Sequence, residues 1–161
     1  MAEVGVVNAS PLIFLSRGGH LPLLRTVAAQ VWVPRAVADE LRVRGADDVT
    51  VRQLTSHPWL VIRETAAISP TIMQWGLGPG ESAVLTDSLG LPGSIAVIDD
   101  LAGRRCAASL GIPVIGTLGI VLRARRQGII PAARPVVEDL LRGGMFLSRS
   151  LLDRALAFVG E

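Results

Sequence analysis

The sequence predicts an α/β fold in which a parallel β-sheet is covered by helices. Short β-branched runs at about residues 4–7, 31–33, 94–98 and 112–115 are each followed by a helix or a turn, the alternation of parallel strands joined by crossovers. The stretch Ser94–Thr117, SIAVIDDLAGRRCAASLGIPVIGT, reads as a complete strand–helix–strand unit with Asp99 and Asp100 at the strand-to-helix junction. At 161 residues the chain is long enough to bury a core and short enough to be one domain over residues 1–161. The crossovers are expected to be right-handed. Ligands of such sheets bind in the crevice at the carboxyl ends of the strands.

Taken in order, Val4–Val7 is a strand ending at Asn8-Ala9-Ser10-Pro11, where Ser10 is the expected N-cap and Pro11 the first helical residue. The helix over Leu12–Arg17 stops at Gly18-Gly19, and Leu21–Ala28 is expected to be a second short helix. Val31–Val33 is a strand, followed by Pro34 and a helix over Arg35–Val43. Asp47–Ser56 reads as a further helix, Trp59–Arg63 as a brief strand or edge segment, and Glu64–Trp75 as loop with some helix. Gly78-Pro79-Gly80 opens a helix over Glu81–Leu89 that ends at Gly90. After the strand–helix–strand unit, Thr117 is expected to cap a helix running to about Gln127. Pro131–Arg142 and Ser148–Val159 are amphipathic helices, and residues 131–161 either complete the cover or form a dimer face.

Composition excludes several functions. The chain is 50% hydrophobic with mean hydropathy +0.47, yet Pro, Gly or charge breaks every apolar run short of the ~18–20 residues a membrane span needs. The N-terminus MAEVGVVNASPLIFLS has no basic leader and is interrupted by Pro11, so no signal peptide is expected. The excess apolarity suits a well-filled core and a homodimer face. Net charge is +2, and all basic residues are Arg. Arginine suits phosphate better than lysine does, although a GC-rich genome gives the same bias. Without lysine there is no Walker A and no Schiff base. Gly76-Leu77-Gly78-Pro79-Gly80 has the wrong spacing for a dinucleotide fingerprint, no GxSxG occurs, and His20 and His57 have no paired nucleophile. The single Cys106 makes no internal disulfide, which points to a reducing, cytoplasmic setting.

The acidic groups expected at the strand ends are Glu40, Glu81, Asp99 and Asp100, with Asn8 supplying an amide at the end of the first strand. Each has an ordinary structural explanation. Asp99 is a plausible N-cap, Asp100 and Glu81 complement helix dipoles, Glu40 sits on a solvated face and Asn8 caps a turn. Their convergence from separate elements is what suggests a site. Carboxylates crowded together with no lysine nearby repel one another unless a cation sits among them. Oxygen ligands of this kind suit Mg²⁺ or Mn²⁺, which can activate a water and stabilise a leaving oxygen in phosphodiester hydrolysis.

The runs VVNASPLI, VPRAVADEL, GPGESAVL and VIDDLAGRRCAASLGIPVIGT resemble, in that order, the motifs of PIN-domain proteins. The resemblance is to a VapC-like subfamily with Asn at the first acidic position, in which the last motif continues as GTLGIVLRAR, here Gly116–Arg125. It extends to the tail, Gly144–Glu161, and so covers nearly the whole chain. It implies a three-layer α/β/α sandwich with a central parallel sheet, and a Mg²⁺- or Mn²⁺-dependent ribonuclease acting on single-stranded RNA. In many relatives that nuclease is the dimeric toxin of a toxin–antitoxin pair. Carried over, Asn8, Glu40, Glu81 and Asp99 or Asp100 are the catalytic positions, and the four acids are the metal ligands. Ser10 matches a small hydroxyl residue near the metal's water. Arg104, Arg105 and Thr117, with Ser10, are the candidate RNA contacts, the arginines having an exposed basic helix face as their ordinary explanation. Most active PIN nucleases carry Asp where this chain has Asn8; an amide oxygen can ligate a hard cation but brings no charge. The competing reading is a PIN-like RNA-binding or regulatory protein with little catalysis. A dinucleotide- or flavin-binding α/β domain shares the sheet but lacks the glycine fingerprint.

Overall fold

The computed structural model describes residues 1–161. Five strands, β1 (Ala2–Val7), β2 (Ala28–Pro34), β3 (Leu60–Arg63), β4 (Ile95–Val97) and β5 (Val114–Ile115), form one parallel sheet in the order β3-β2-β1-β4-β5. The helices are α1 (Ala9–Gly18), α2 (Arg35–Arg42), α3 (Val49–Gln53), α4 (Pro70–Met73), α5 (Pro79–Leu89), α6 (Leu101–Ser109), α7 (Thr117–Arg126), α8 (Arg134–Arg142) and α9 (Arg149–Phe158). They flank the sheet and give the α/β/α architecture. None is long and apolar enough to cross a membrane.

The strands are short valine- and isoleucine-rich runs because a sheet covered by helices hides both of its faces. Val6, Val7, Val31, Val33, Ala96 and Val97 are all buried. They join a single cluster of 34 buried residues that also takes Leu12 and Leu15 from α1, Leu85 from α5 and Ile120 from α7. Burying one such leucine contributes about 1.5–3 kcal/mol. Helix α5 lies on β1, β2 and β4, whereas α1 packs with α2, α3, α7 and α8. Gly18 lets α8 approach α1 closely, since a Cβ there would lie 2.8 Å from Leu140 Cδ2.

The strand order reverses between β1 and β4. The chain steps outward from β1 to β2 to β3, then returns to the other side of β1 for β4 and β5. Register aligns Val7 with Val97 and Val97 with Ile115. Asn8 N–H donates to the Val97 carbonyl and Ile98 N–H to the Ile115 carbonyl, both at 3.0 Å. The residues that follow each strand, Asn8, Asp99–Asp100 and Gly116–Thr117, therefore emerge at one edge beside the switch point.

Several local expectations change. Helix α1 begins at Ala9, because Asn8 is already held extended against β4; Pro11 then falls inside the first turn, where its missing N–H costs nothing. Leu21–Thr26 is a 3₁₀ helix rather than an α-helix to Ala28, since Ala28 is taken into β2 opposite Ala2. Trp59–Arg63 resolves into the edge strand β3, and only Val114–Ile115 of the 112–115 run pairs with β4. The polar stretch before Pro58 holds only the short α3, capped by Asp48 through Thr50 N–H and Val51 N–H.

Candidate active site

Asn8 is the N-cap of α1 by backbone geometry alone, and its side chain makes no cap hydrogen bond. The residue is 6% exposed and its amide turns toward α5. A Cβ built on Gly80 would lie 3.2 Å from Asn8 Oδ1 and 2.9 Å from Glu40 Oε2. The glycine of GPGE thus leaves room for an amide from β1 and a carboxylate from α2 to come against the first turn of α5. The close packing of α2 on α5 brings Glu40 there, although the residue stays exposed.

Glu81, next along α5, is half-buried. Burial first, then the charges of Asp100 and Glu40, push its carboxyl above the ordinary glutamate value. Glu81 therefore lies within electrostatic reach of both Asp100 and Glu40. Gly103 borders the same space, with its missing Cβ 3.8 Å from Glu81 Oε2.

The two adjacent aspartates diverge. Asp100, not Asp99, caps α6, accepting from Gly103 N–H at 3.0 Å. Asp99 accepts from Thr117 N–H at 2.6 Å and Thr117 Oγ1–H at 2.7 Å. Gly116, not Thr117, caps α7, because the threonine hydroxyl is committed to Asp99 and its side chain is fully buried. Asp99 thus ties the β4–α6 junction to the β5–α7 junction.

A groove of about 1030 Å³ opens along this edge, lined by Ser10, Glu81, Asp99, Asp100 and Arg104 on its polar side. Its opposite wall is apolar and includes Leu118, Phe146 and Phe158. Arg104 Nη1 donates to the Ile98 carbonyl at 3.5 Å and passes over Gly116, whose missing Cβ would lie 2.6 Å from it and 2.9 Å from Asp99 Oδ1. Arg105 is exposed and does not line the groove, and neither does buried Thr117. Asn8 and Glu40 border the Gly80 side instead.

The donor set fits a hard divalent cation in chemistry. Every candidate donor is oxygen, and burial, then the charges of Asp100 and Glu40, disfavour the ionised form of Glu81. It is not a closed cage, for no three acidic side chains gather tightly enough to hold a metal ion as they stand. Two glycines, Gly80 and Gly116, escape a reading based on side-chain chemistry. The signal available for them was position: each stands directly before a predicted site residue, Glu81 or Thr117.

The model of one protein family, DUF3368, described as a PIN domain, matches residues 4–161. No curated protein matches the chain.

Proposed function

The chain belongs to the PIN-domain family, whose fold is of the nuclease type, and from that premise we propose that it is a divalent-metal-dependent endoribonuclease of single-stranded RNA. The observation that carries this reading is geometric: Asn8 Oδ1 and Glu40 Oε2 meet over Gly80 beside Glu81, and Glu81, Asp99 and Asp100 line one groove at the β1/β4 switch point. Glu40, Glu81 and Asp100 would hold Mg²⁺ or Mn²⁺, with Asn8 Oδ1 as an uncharged neighbour and Asp99 as the residue that fixes the crevice wall. The bound ion would supply an activated water and charge to stabilise the leaving oxygen. Arg104, free of any ion pair, would hold a phosphate against the acidic edge, and Ser10 would donate to a substrate or water oxygen. The apolar wall would lower the local dielectric around the reacting phosphate.

The proposal extends to a homodimeric toxin paired with an antitoxin, on the resemblance to VapC-like proteins. A small reading frame beside the gene, encoding a DNA-binding segment, is the observation expected for that role.

Cleavage of single-stranded RNA with Mn²⁺ tests the assignment. Glu40→Gln and Asp100→Asn are each expected to reduce the rate by about 100-fold, and activity surviving both contradicts it. Asn8 favours a second reading, an RNA-binding protein with weak catalysis, because the site lacks one negative charge at its most buried donor. RNA binding without turnover, with cleavage gained in Asn8→Asp, supports that reading.

A further inference from the structure

The groove does not end at the acidic edge. Beyond Ile115, Gly119 and Leu122 it continues into a second depression of about 540 Å³, where Arg123, Arg126 and Gln127 on one face of α7 meet Phe158 of α9. From Thr117 to Gln127 the helix rises about 15 Å, more than adjacent phosphates of a nucleic acid are apart.

Two features of this extension stand out. With the groove, it gathers four arginines that form no salt bridge and so keep their charge available: Arg104 and Arg154 in the groove, and Arg123 and Arg126 at its far end. Arg123 Nε is buried without a hydrogen-bond partner, so packing rather than an acid holds that guanidinium. Aromatic rings of the groove and its extension are also open to solvent. Phe146 is 87% and Phe158 64% exposed, and Arg126 lies 5.1 Å from the Phe158 ring centroid.

We propose that the groove and its extension together form a binding track for single-stranded RNA. Its backbone would be held by Arg104 and Arg154 near the acidic edge and by Arg123 and Arg126 at the far end, with bases laid on Phe146 and Phe158. Unpaired arginines at both ends complement a polyanion, and exposed rings between them offer the sequence-tolerant stacking surface that single strands use. The same wall could serve a second copy of this chain, and the sedimenting mass of the variant below separates that occupant from RNA. The track deepens the ribonuclease reading by naming how substrate enters the site.

The test is fluorescence anisotropy with a labelled mixed-sequence RNA dodecamer, without divalent metal, over about 50–200 mM salt. The double variant Arg123→Gln/Arg126→Gln is expected to weaken binding and lower the slope of log affinity against log salt by about 1.4, or about 0.7 for each lost phosphate contact. Arg52→Gln, an exposed arginine on α3, controls for the loss of positive charge and should leave the slope unchanged. Phe158→Leu should weaken binding about fivefold or more at the same slope. The track is overturned if the wild-type protein binds no RNA or if the double variant keeps its slope. It is equally overturned if the double variant binds RNA normally but changes its sedimenting mass, which assigns the groove to a second copy. Because no cleavage is needed, binding lost in the double variant of a protein that never cuts RNA contradicts the ribonuclease alone. Cutting by a double variant with an unaltered slope contradicts the track alone.

Discussion

Asp99 and Asp100 are adjacent in sequence, yet their carboxylates face different partners. Asp99 takes two hydrogen bonds from Thr117, one from a fully buried hydroxyl. Removing that hydroxyl in Thr117→Val should cost about 1.5–3 kcal/mol of folding stability, the value of a hydrogen bond to a charged group. Asp100→Asn should change stability by less than about 0.5 kcal/mol, because asparagine caps a helix as well as aspartate does, while cleavage falls. Urea unfolding of both variants separates structural from chemical work; equal destabilisation contradicts the division. Gly80 makes a second residue-scale test. Alanine there adds helix propensity of up to about 1 kcal/mol, and its Cβ's nearest neighbours are the mobile Glu40 Oε2 at 2.9 Å and, at 3.2 Å, the buried Asn8 Oδ1 and Val37 Cγ2, which need give only a few tenths of an ångström. Gly80→Ala should therefore melt within a few degrees of wild type. It should lose RNA cleavage on the order of 10- to 100-fold, because the Asn8–Glu40 spacing is forced apart. A fully active variant would show that this spacing is irrelevant to the chemistry.

Among the elements, α8 shows what the sequence could and could not reveal. Its periodicity, RPVVEDLLR, is legible as an amphipathic helix, and it packs on α1 as such a helix must. Its start is not legible, because Ala133 is a poor cap and the acceptor comes from Glu161. That carboxylate accepts Ala133 N–H at 2.7 Å and Arg134 N–H at 3.1 Å and also pairs with Arg125 of α7. The two backbone donors, then Arg125, hold the Glu161 carboxyl below the ordinary glutamate value. A carboxyl lowered by folding stabilises the protein above its unfolded-state value and stops doing so as pH falls through its folded-state value. The stability difference between wild type and Glu161→Gln should thus be full at neutral pH, begin to shrink below about 4.5 and vanish in stronger acid. Denaturant unfolding across that range measures it, and a difference independent of pH contradicts the pairing. The strand-to-helix junctions were readable because their signals are local; Thr117 and Asp99, 18 residues apart, find each other only in the fold. The edge strand β3 was ambiguous for a related reason. Its four residues pair only with β2, and Ile62 and Val61 stay partly exposed, so no clear burial pattern marks them.

For the whole molecule, the parallel sheet and its switch point follow from runs and breakers spread along the chain, so the acidic edge could be anticipated from Asn8, Glu40, Glu81, Asp99 and Asp100. The groove's apolar wall could not, because it joins α7 to the segment carrying Phe146 and to α9, which are far apart in sequence. Exposed phenylalanines there read simply as hydrophobic residues until the structure sets them beside unpaired arginines. Under the proposed function, the carboxylates at this edge make a metal-dependent ribonuclease site with Glu81 at its middle. The most direct measurement is the rate of single-stranded RNA cleavage against Mn²⁺ concentration for wild type and Glu81→Gln, with folding checked by thermal melting. The expected result is a saturable Mn²⁺ dependence in the wild type that is lost in a Glu81→Gln protein of unchanged fold, and equal Mn²⁺-dependent rates in the two proteins would contradict the assignment.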